Sequence, residues 1–336
     1  MKIKNTSFVD YCYALHKELG GSETKNIPET ESTKNSFFSK ISPNISEEKL
    51  QEIFRDNIDR TISKYVKEFA VELAEYRKLE GINFYEISVT RYLTFMILWC
   101  IDKKTDLNME SLNKICQCAF IGTVGYRLID LQQDHNLLDS KTLYLGFYLI
   151  NISEEILAEL FPFKETTSII KKHSNLYNKI EFKEKQHRWK GCPFTWENVE
   201  ELGHKAAPIY SVFELIFKLM GFNEEKTTSL LKALNNVAAS TQLCDDISDA
   251  YEDLSNGFET LVMSGFYNTH PDKEDINLTA VENFINSERL KLFYEKNTAL
   301  LNEASKIFSK YDEYLFAFLL ETHRSRFLEG FGIDNN

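Results

Sequence analysis

Residues 242–257 read QLCDDISDAYEDLSNG, and the fold turns on them. Asp245, Asp246, Asp249, Glu252 and Asp253 stand there with no Lys or Arg among them. On a helix advancing about 100° per residue, these five acids and Gln242 fall within an arc of about 120°. Carboxylates one turn apart repel by a few tenths of a kcal/mol when exposed and by more in a cleft, so such a face calls for a positive partner. A merely solvated acidic face is the plainer reading, and Leu243, Ile247, Ala250, Tyr251 and Leu254 do form an apolar stripe opposite it. Solvated faces usually mix signs, however, and the preceding turns, NNVAAST (235–241), are built of small residues suited to close packing. All-oxygen ligands select Mg²⁺ or Ca²⁺ over zinc or copper.

Upstream, ELGHKAAPIYSVFELIFKLMG (201–221) places Lys205 at the start of an almost wholly apolar helix, at the rim of a buried element where an anion is a natural partner. Further back, YRLIDLQQDH (126–135) sets Asp130 and Asp134 one turn apart on one helix face. A D-x-x-x-D pair is a weak signal alone. In a helical bundle, two acidic faces converging on a central cavity hold several hard cations, with open positions for a multiply charged oxygen ligand such as a diphosphate.

The rest of the chain agrees with a helical body. Apolar residues step by three or four along a helix from Leu50 to Tyr76 that Gly81 ends, and helical stretches follow at 86–102, 108–136, 141–160, 166–188, 206–220, 224–255, 277–309 and 311–329. No alternating strand pattern competes. Residues 20–45, with Pro28 and Pro43, read as a surface loop after a short N-terminal helix. The expected organisation is an N-terminal helix and polar loop at 1–45, then one all-α domain at 46–336, a bundle of about ten helices around a central cavity.

Composition sets the outer limits. Only 13 glycines and 6 prolines in 336 residues argue against collagen, linkers and loop-rich β folds, while 43% hydrophobic and 27% charged residues are globular values. A net charge of −12 is the wrong sign for nucleic acid or anionic lipid. The six cysteines (Cys12, Cys100, Cys116, Cys118, Cys192, Cys244) show no C-x-x-C or zinc spacing and read as free thiols. The longest apolar run, Tyr92 to Ile101, is too short to span a bilayer, so a soluble cytoplasmic protein is expected.

Taken together, these segments resemble the class I isoprenoid diphosphate enzymes: trans-prenyltransferases, squalene and phytoene synthases, and class I terpene synthases. GHKAAPIYSVFELIFKLMG is similar to the prenyltransferase segment whose lysine contacts diphosphate, and TQLCDDISDAYED to their second aspartate-rich motif, Q-x-x-D-D-x-x-D. The same helix resembles the squalene and phytoene synthase pattern through Gln242, Asp249, Glu252, Asp253 and Gly257, and the terpene cyclase metal triad through Asp245, Asp249 and Asp253. The resemblance implies Mg²⁺ as cofactor, several ions held by Asp130, Asp134, Asp245, Asp246, Asp249 and Asp253. Of these, Asp130, Asp134, Asp245, Asp249 and Asp253 are the expected catalytic acids. Lys205, Arg91, Arg127, Arg324 and Gln242 are expected on the diphosphate, and Phe95, Trp99, Phe120, Tyr126, Phe213 and Phe217 around a dry carbocation cavity.

Departures bear on the branch. Leu131 replaces the second acid of D-D-x-x-D, and after it HNLLDSKTL offers only Lys141 where chain-elongating enzymes carry an arginine pair. The glycine-lysine-arginine segment of those enzymes is also missing, with Arg91 as a stand-in for one arginine. The expected function is therefore a Mg²⁺-dependent class I terpene synthase that ionises an allylic prenyl diphosphate, forms a hydrocarbon or alcohol and releases diphosphate. The alternative is a trans-prenyltransferase, chain-elongating or head-to-head, and a weaker one is a non-catalytic helical partner of such an enzyme. The partner called for is a prenyl diphosphate, not nucleic acid, and a homodimer is an admissible assembly. A diiron carboxylate bundle, suggested by Glu184 with His187 and Glu201 with His204, is disfavoured because Gly191, Pro193 and Gly203 interrupt the short stretch holding both pairs. No zinc protease motif, P-loop or dinucleotide fingerprint is present.

Overall fold

The computed structural model describes residues 63–65, 67–71, 107–135, 140–270, 276–285 and 288–313, with single positions at 100, 272, 316 and 320. Two compact units divide the chain, Met1–Thr166 and Thr167–Asn336. Every regular element among the described residues is a helix. The expected N-terminal helix and loop at 1–45 lie outside these residues, as do nearly all of the helices at 50–81, 86–102 and 311–329.

In the first unit Asn108 caps a long helix, its side-chain oxygen accepting from the Ser111 amide at 2.9 Å, which satisfies a donor that a helix start leaves bare. This helix, α1 (Met109–His135), packs on α2 (Ser140–Leu160). Leu112, Ile115, Val124 and Leu128 of α1 and Leu145, Leu149, Ile156 and Leu157 of α2 are buried. The Ser153 hydroxyl donates to Cys118 O at 3.0 Å, so this buried polar group is satisfied by the facing helix.

The second unit begins with α3 (Thr166–Lys185), followed by a 3₁₀ segment (Trp196–Ala206) that runs straight into α4 (Ala207–Leu219). Then come α5 (Glu224–Ser248), α6 (Ala250–Asn256), the single turn α7 (Phe266–Thr269), α8 (Leu278–Ile285) and α9 (Glu288–Lys310). Pro208 sits at the start of α4, where its missing N–H costs nothing. Asn223 caps α5 by accepting from Lys226 N at 2.9 Å. The helix ends expected at 108–136, 141–160 and 206–220 are met to within one residue.

The core of this unit positions the chemistry. Ile180 of α3, Val199 and Leu202 of the 3₁₀ segment, Ala239 and Leu243 of α5, and Phe293 and Leu300 of α9 form one buried cluster. Burial of each large side chain contributes roughly 1.5–3 kcal/mol, so these elements are held as one piece. The end of α3, the 3₁₀ segment and the acidic end of α5 are thereby fixed beside one another.

Candidate functional site

Gly203 explains how Lys205 is placed. A side chain at residue 203 would put its Cβ 2.3 Å from the backbone oxygen of Asn235, so only glycine lets the 3₁₀ segment lie backbone to backbone on α5. Asn235 Nδ2 donates to Glu200 O at 2.8 Å and the Tyr210 hydroxyl donates to Gly203 O at 2.9 Å, pinning the segment from two sides. Lys205 therefore lies in the last turn of the 3₁₀ segment, two residues before α4, and not at the start of the apolar helix. Its Nζ donates to Glu184 Oε1 at 2.8 Å. Burial works against the charge on Lys205, but Glu184, Glu181 and Asp246 outweigh it and hold the ammonium well above the ordinary lysine value.

The acidic helix departs from the expected continuous 224–255 span. Asp249 leaves helical geometry at φ −104°, ψ 8° and separates α5 from α6, although Asp249 N still bonds Asp245 O and Asp253 N still bonds Asp249 O, each at 2.9 Å. Ser248 supplies a cause: its hydroxyl donates back to Cys244 O at 3.1 Å, the contact by which serine bends helices. Around this bend the acids do not share one environment. Asp246 is buried, Asp253 half-buried, and Asp245, Asp249 and Glu252 are exposed.

The inward pair is strongly perturbed. Asp246 is pushed up to about 7, chiefly by burial, with Lys205 and the Gln242 amide pulling the other way. Gln242 Nε2 donates to Asp246 Oδ1 at 3.1 Å, while Asp246 Oδ2 is buried with no hydrogen-bond partner. Asp253 is pushed up to about 8, again by burial first and then by the charge of Asp246. A Schellman turn closes α6: Phe258 N bonds Asp253 O at 2.8 Å and Gly257 N bonds Leu254 O at 3.1 Å. Gly257 has φ 93°, and a Cβ there would lie 2.3 Å from the Trp189 ring.

Several neighbours of this pair escaped the sequence reading. Glu181 and Glu184 lie one turn apart on α3, and Lys185 stands 3.8 Å from Glu181 and 4.0 Å from Glu184. Arg188 Nε donates to Asn256 O at 2.7 Å, at the end of α6. The guanidinium of Arg188 and Nζ of Lys185 lie over the Phe258 ring at 5.0 and 4.7 Å from its centroid. Glu259, buried, accepts from Cys192 N at 2.8 Å and Tyr267 N at 2.9 Å, tying together the loops flanking α6. The signal in sequence was the i, i+3 pair in IEFKEK, but its meaning depends on Lys205, which only the fold brings to it. Glu184 pairs with Lys205 and Glu201 with Lys183 at 2.7 Å, an arrangement unlike a diiron site, where these glutamates would face metal.

The remaining expected residues fall as follows. Arg127 NH1 donates to Asp130 Oδ2 at 2.8 Å within α1, so an expected diphosphate ligand and an expected metal ligand pair with each other. Asp134 belongs to α1 as well. Phe120 and Tyr126 are half-buried on that helix. Phe213 and Phe217 are fully buried, their centroids 6.1 Å apart, with Phe316 5.9 Å from the first and Phe222 5.6 Å from the second. Arg91, Phe95, Trp99 and Arg324 lie outside the described residues.

Hard carboxylate oxygens, one of them buried and unpartnered on Asp246, suit a Mg²⁺-type ion in chemistry. Among the described residues no three His, Cys, Asp or Glu side chains close on one point as a metal-binding group. No helix among the described residues is long and apolar enough to cross a membrane.

Solved structures share this architecture. A polyprenyl synthase from Caulobacter crescentus, complexed with calcium and isoprenyl diphosphate, is 14% identical with a TM-score of 0.62, covering 83% of this chain and 97% of its own. A decaprenyl diphosphate synthase from Rhodobacter capsulatus is 11% identical with a TM-score of 0.61, covering 83% and 99%. Heptaprenyl diphosphate synthase from Staphylococcus aureus is 14% identical with a TM-score of 0.60, covering 81% and 98%. No family model and no curated protein sequence matches the chain. The chain shares the all-α fold of these prenyl diphosphate synthase structures.

Proposed function

We propose that this chain is an enzyme of the prenyltransferase type that acts on an allylic prenyl diphosphate. The carrying observation is the acid-rich lobe in which Lys205 donates to Glu184 beside buried Asp246 and half-buried Asp253. The shared fold supports the prenyltransferase branch over the terpene synthase expected from the motifs, since these neighbours are polyprenyl diphosphate synthases. Leu131 and the missing basic segments still favour the one-substrate terpene synthase as second reading.

Each residue has a proposed task. Asp245, Asp246, Asp249 and Asp253 would hold Mg²⁺, and a metal role for Asp130 and Asp134 is proposed from their sequence spacing alone. Mg²⁺, when bound, neutralises charge developing on the departing diphosphate. Lys205 donates to a diphosphate oxygen and stabilises the same charge from its side. Gln242 orients Asp246, and Arg188 with Glu259 fixes the end of α6 and the loops beside it. The test is incubation of the full chain with Mg²⁺ and allylic diphosphates of two to five isoprene units, each with and without isopentenyl diphosphate. Release of inorganic diphosphate supports the reading; no release from any of them removes it.

A further inference from the structure

Lys205 already has a carboxylate where a substrate anion belongs. The Nζ to Oε1 distance to Glu184 is 2.8 Å, with the two side chains 23% and 16% exposed. A charge-assisted bond of this length, partly shielded from water, is stronger than a surface ion pair. Lys205 is thus committed before any ligand arrives. Its surroundings are also acid-rich: Glu181 and Asp246 act on it besides Glu184, and Asp253 lies within reach of its charge. An incoming anion meets a lysine in use and a lobe of its own sign.

Glu184 is built to let go. It lies in the last turn of α3, and its other oxygen, Oε2, is 4.0 Å from Lys185. On leaving Lys205 it retains a cation one residue away. The backbone that carries Lys205 cannot withdraw with it, because Gly203 and Tyr210 hold the 3₁₀ segment against α5 and α4.

From this geometry, and resting on the prenyl diphosphate reading above, we infer that Glu184 is an internal stand-in for the diphosphate and that binding proceeds by exchange at Lys205 Nζ. A diphosphate oxygen takes the place of Glu184 Oε1, and Glu184 turns to Lys185. The exchange makes Glu184 a specificity-determining residue. A smaller and less charged anion such as inorganic phosphate does not repay the broken pair, whereas a diphosphate arriving with its cations does.

Calorimetric titration of the full chain with inorganic diphosphate and with inorganic phosphate, at fixed Mg²⁺, tests this. Wild type is expected to bind diphosphate and reject phosphate. Glu184→Gln is expected to bind diphosphate about tenfold more tightly and to admit phosphate, while Glu184→Asp returns towards wild type. Unchanged affinity in Glu184→Gln overturns the exchange and leaves the functional reading standing; weaker affinity with a steeper Mg²⁺ dependence overturns it by making Glu184 a metal holder. Should Glu184→Gln fail to fold, a crystal structure of wild type with Mg²⁺ and diphosphate decides: Lys205 on a diphosphate oxygen supports exchange, and the Glu184 pair persisting beside bound diphosphate rejects it. No diphosphate bound by wild type or variant overturns both readings.

Discussion

Asp246 and Asp253, pushed up to about 7 and about 8, retain protons at pH values where ordinary aspartates are ionised. Both native values lie above the ordinary 3.8. Between about pH 4 and pH 8 the native protein therefore binds more protons than the unfolded chain, and linkage makes stability fall as pH rises through that window. Glu184, Lys205, Gln242, Asp245 and Asp249 are the polar groups acting on the pair. Metal-free protein in EDTA should melt higher at about pH 5.5 than at about pH 8.5, and Asp253→Asn should flatten the difference. A rising Tm over that range would show that neither acid is buried as placed. Lys205→Ala removes the cation from the lobe and should cost about 1–3 kcal/mol in urea unfolding at pH 8, less at pH 6 as the acids take up protons. An equal loss at both pH values would detach Lys205 from them.

At the scale of elements, the 3₁₀ segment decides where Lys205 points. Gly203→Ala forces a Cβ to within 2.3 Å of Asn235 O, so the segment must lift from α5. We expect at least tenfold weaker diphosphate binding with α-helical circular dichroism preserved, because the strain is local. Undiminished binding would mean that the close approach does not position Lys205. The helices themselves could be read from period alone: α1, α2 and α4 carry apolar residues at steps of three and four, and caps such as Asn108 and Asn223 sit where the pattern begins. The 3₁₀ segment was not foreseen, since Trp196, Val199 and Leu202 step by three over too short a stretch to mark an element, and its path follows from contact with α5. The bend at Asp249 was equally hidden, for a continuous helix satisfies the same apolar stripe. An arc computed for a straight helix made five acids equivalent, and the bend with burial singled out Asp246 and Asp253. Glu181 was overlooked and Glu184 weighed only as a diiron ligand, because an i, i+3 acid pair gains this role only when a lysine from another element arrives.

For the whole molecule, a lobe of acids and a diphosphate repel each other, and each needs the metal that binds the other. Mg²⁺ with diphosphate should therefore raise Tm far more than either alone, through mass action on the folded state, and EDTA should abolish the shift. The branch of chemistry is the larger question. The proposed prenyltransferase reading calls for condensation, while Leu131 and the sparse cations after α1 favour a single substrate. The structure adds Lys185 and Arg188 to the second unit's cations beside the lobe. The deciding measurement is incubation of the chain with an allylic diphosphate, Mg²⁺ and labelled isopentenyl diphosphate, followed by analysis of the products. The prenyltransferase account predicts label in longer prenyl diphosphates; unlabelled hydrocarbon or alcohol with free diphosphate would contradict it in favour of the terpene synthase.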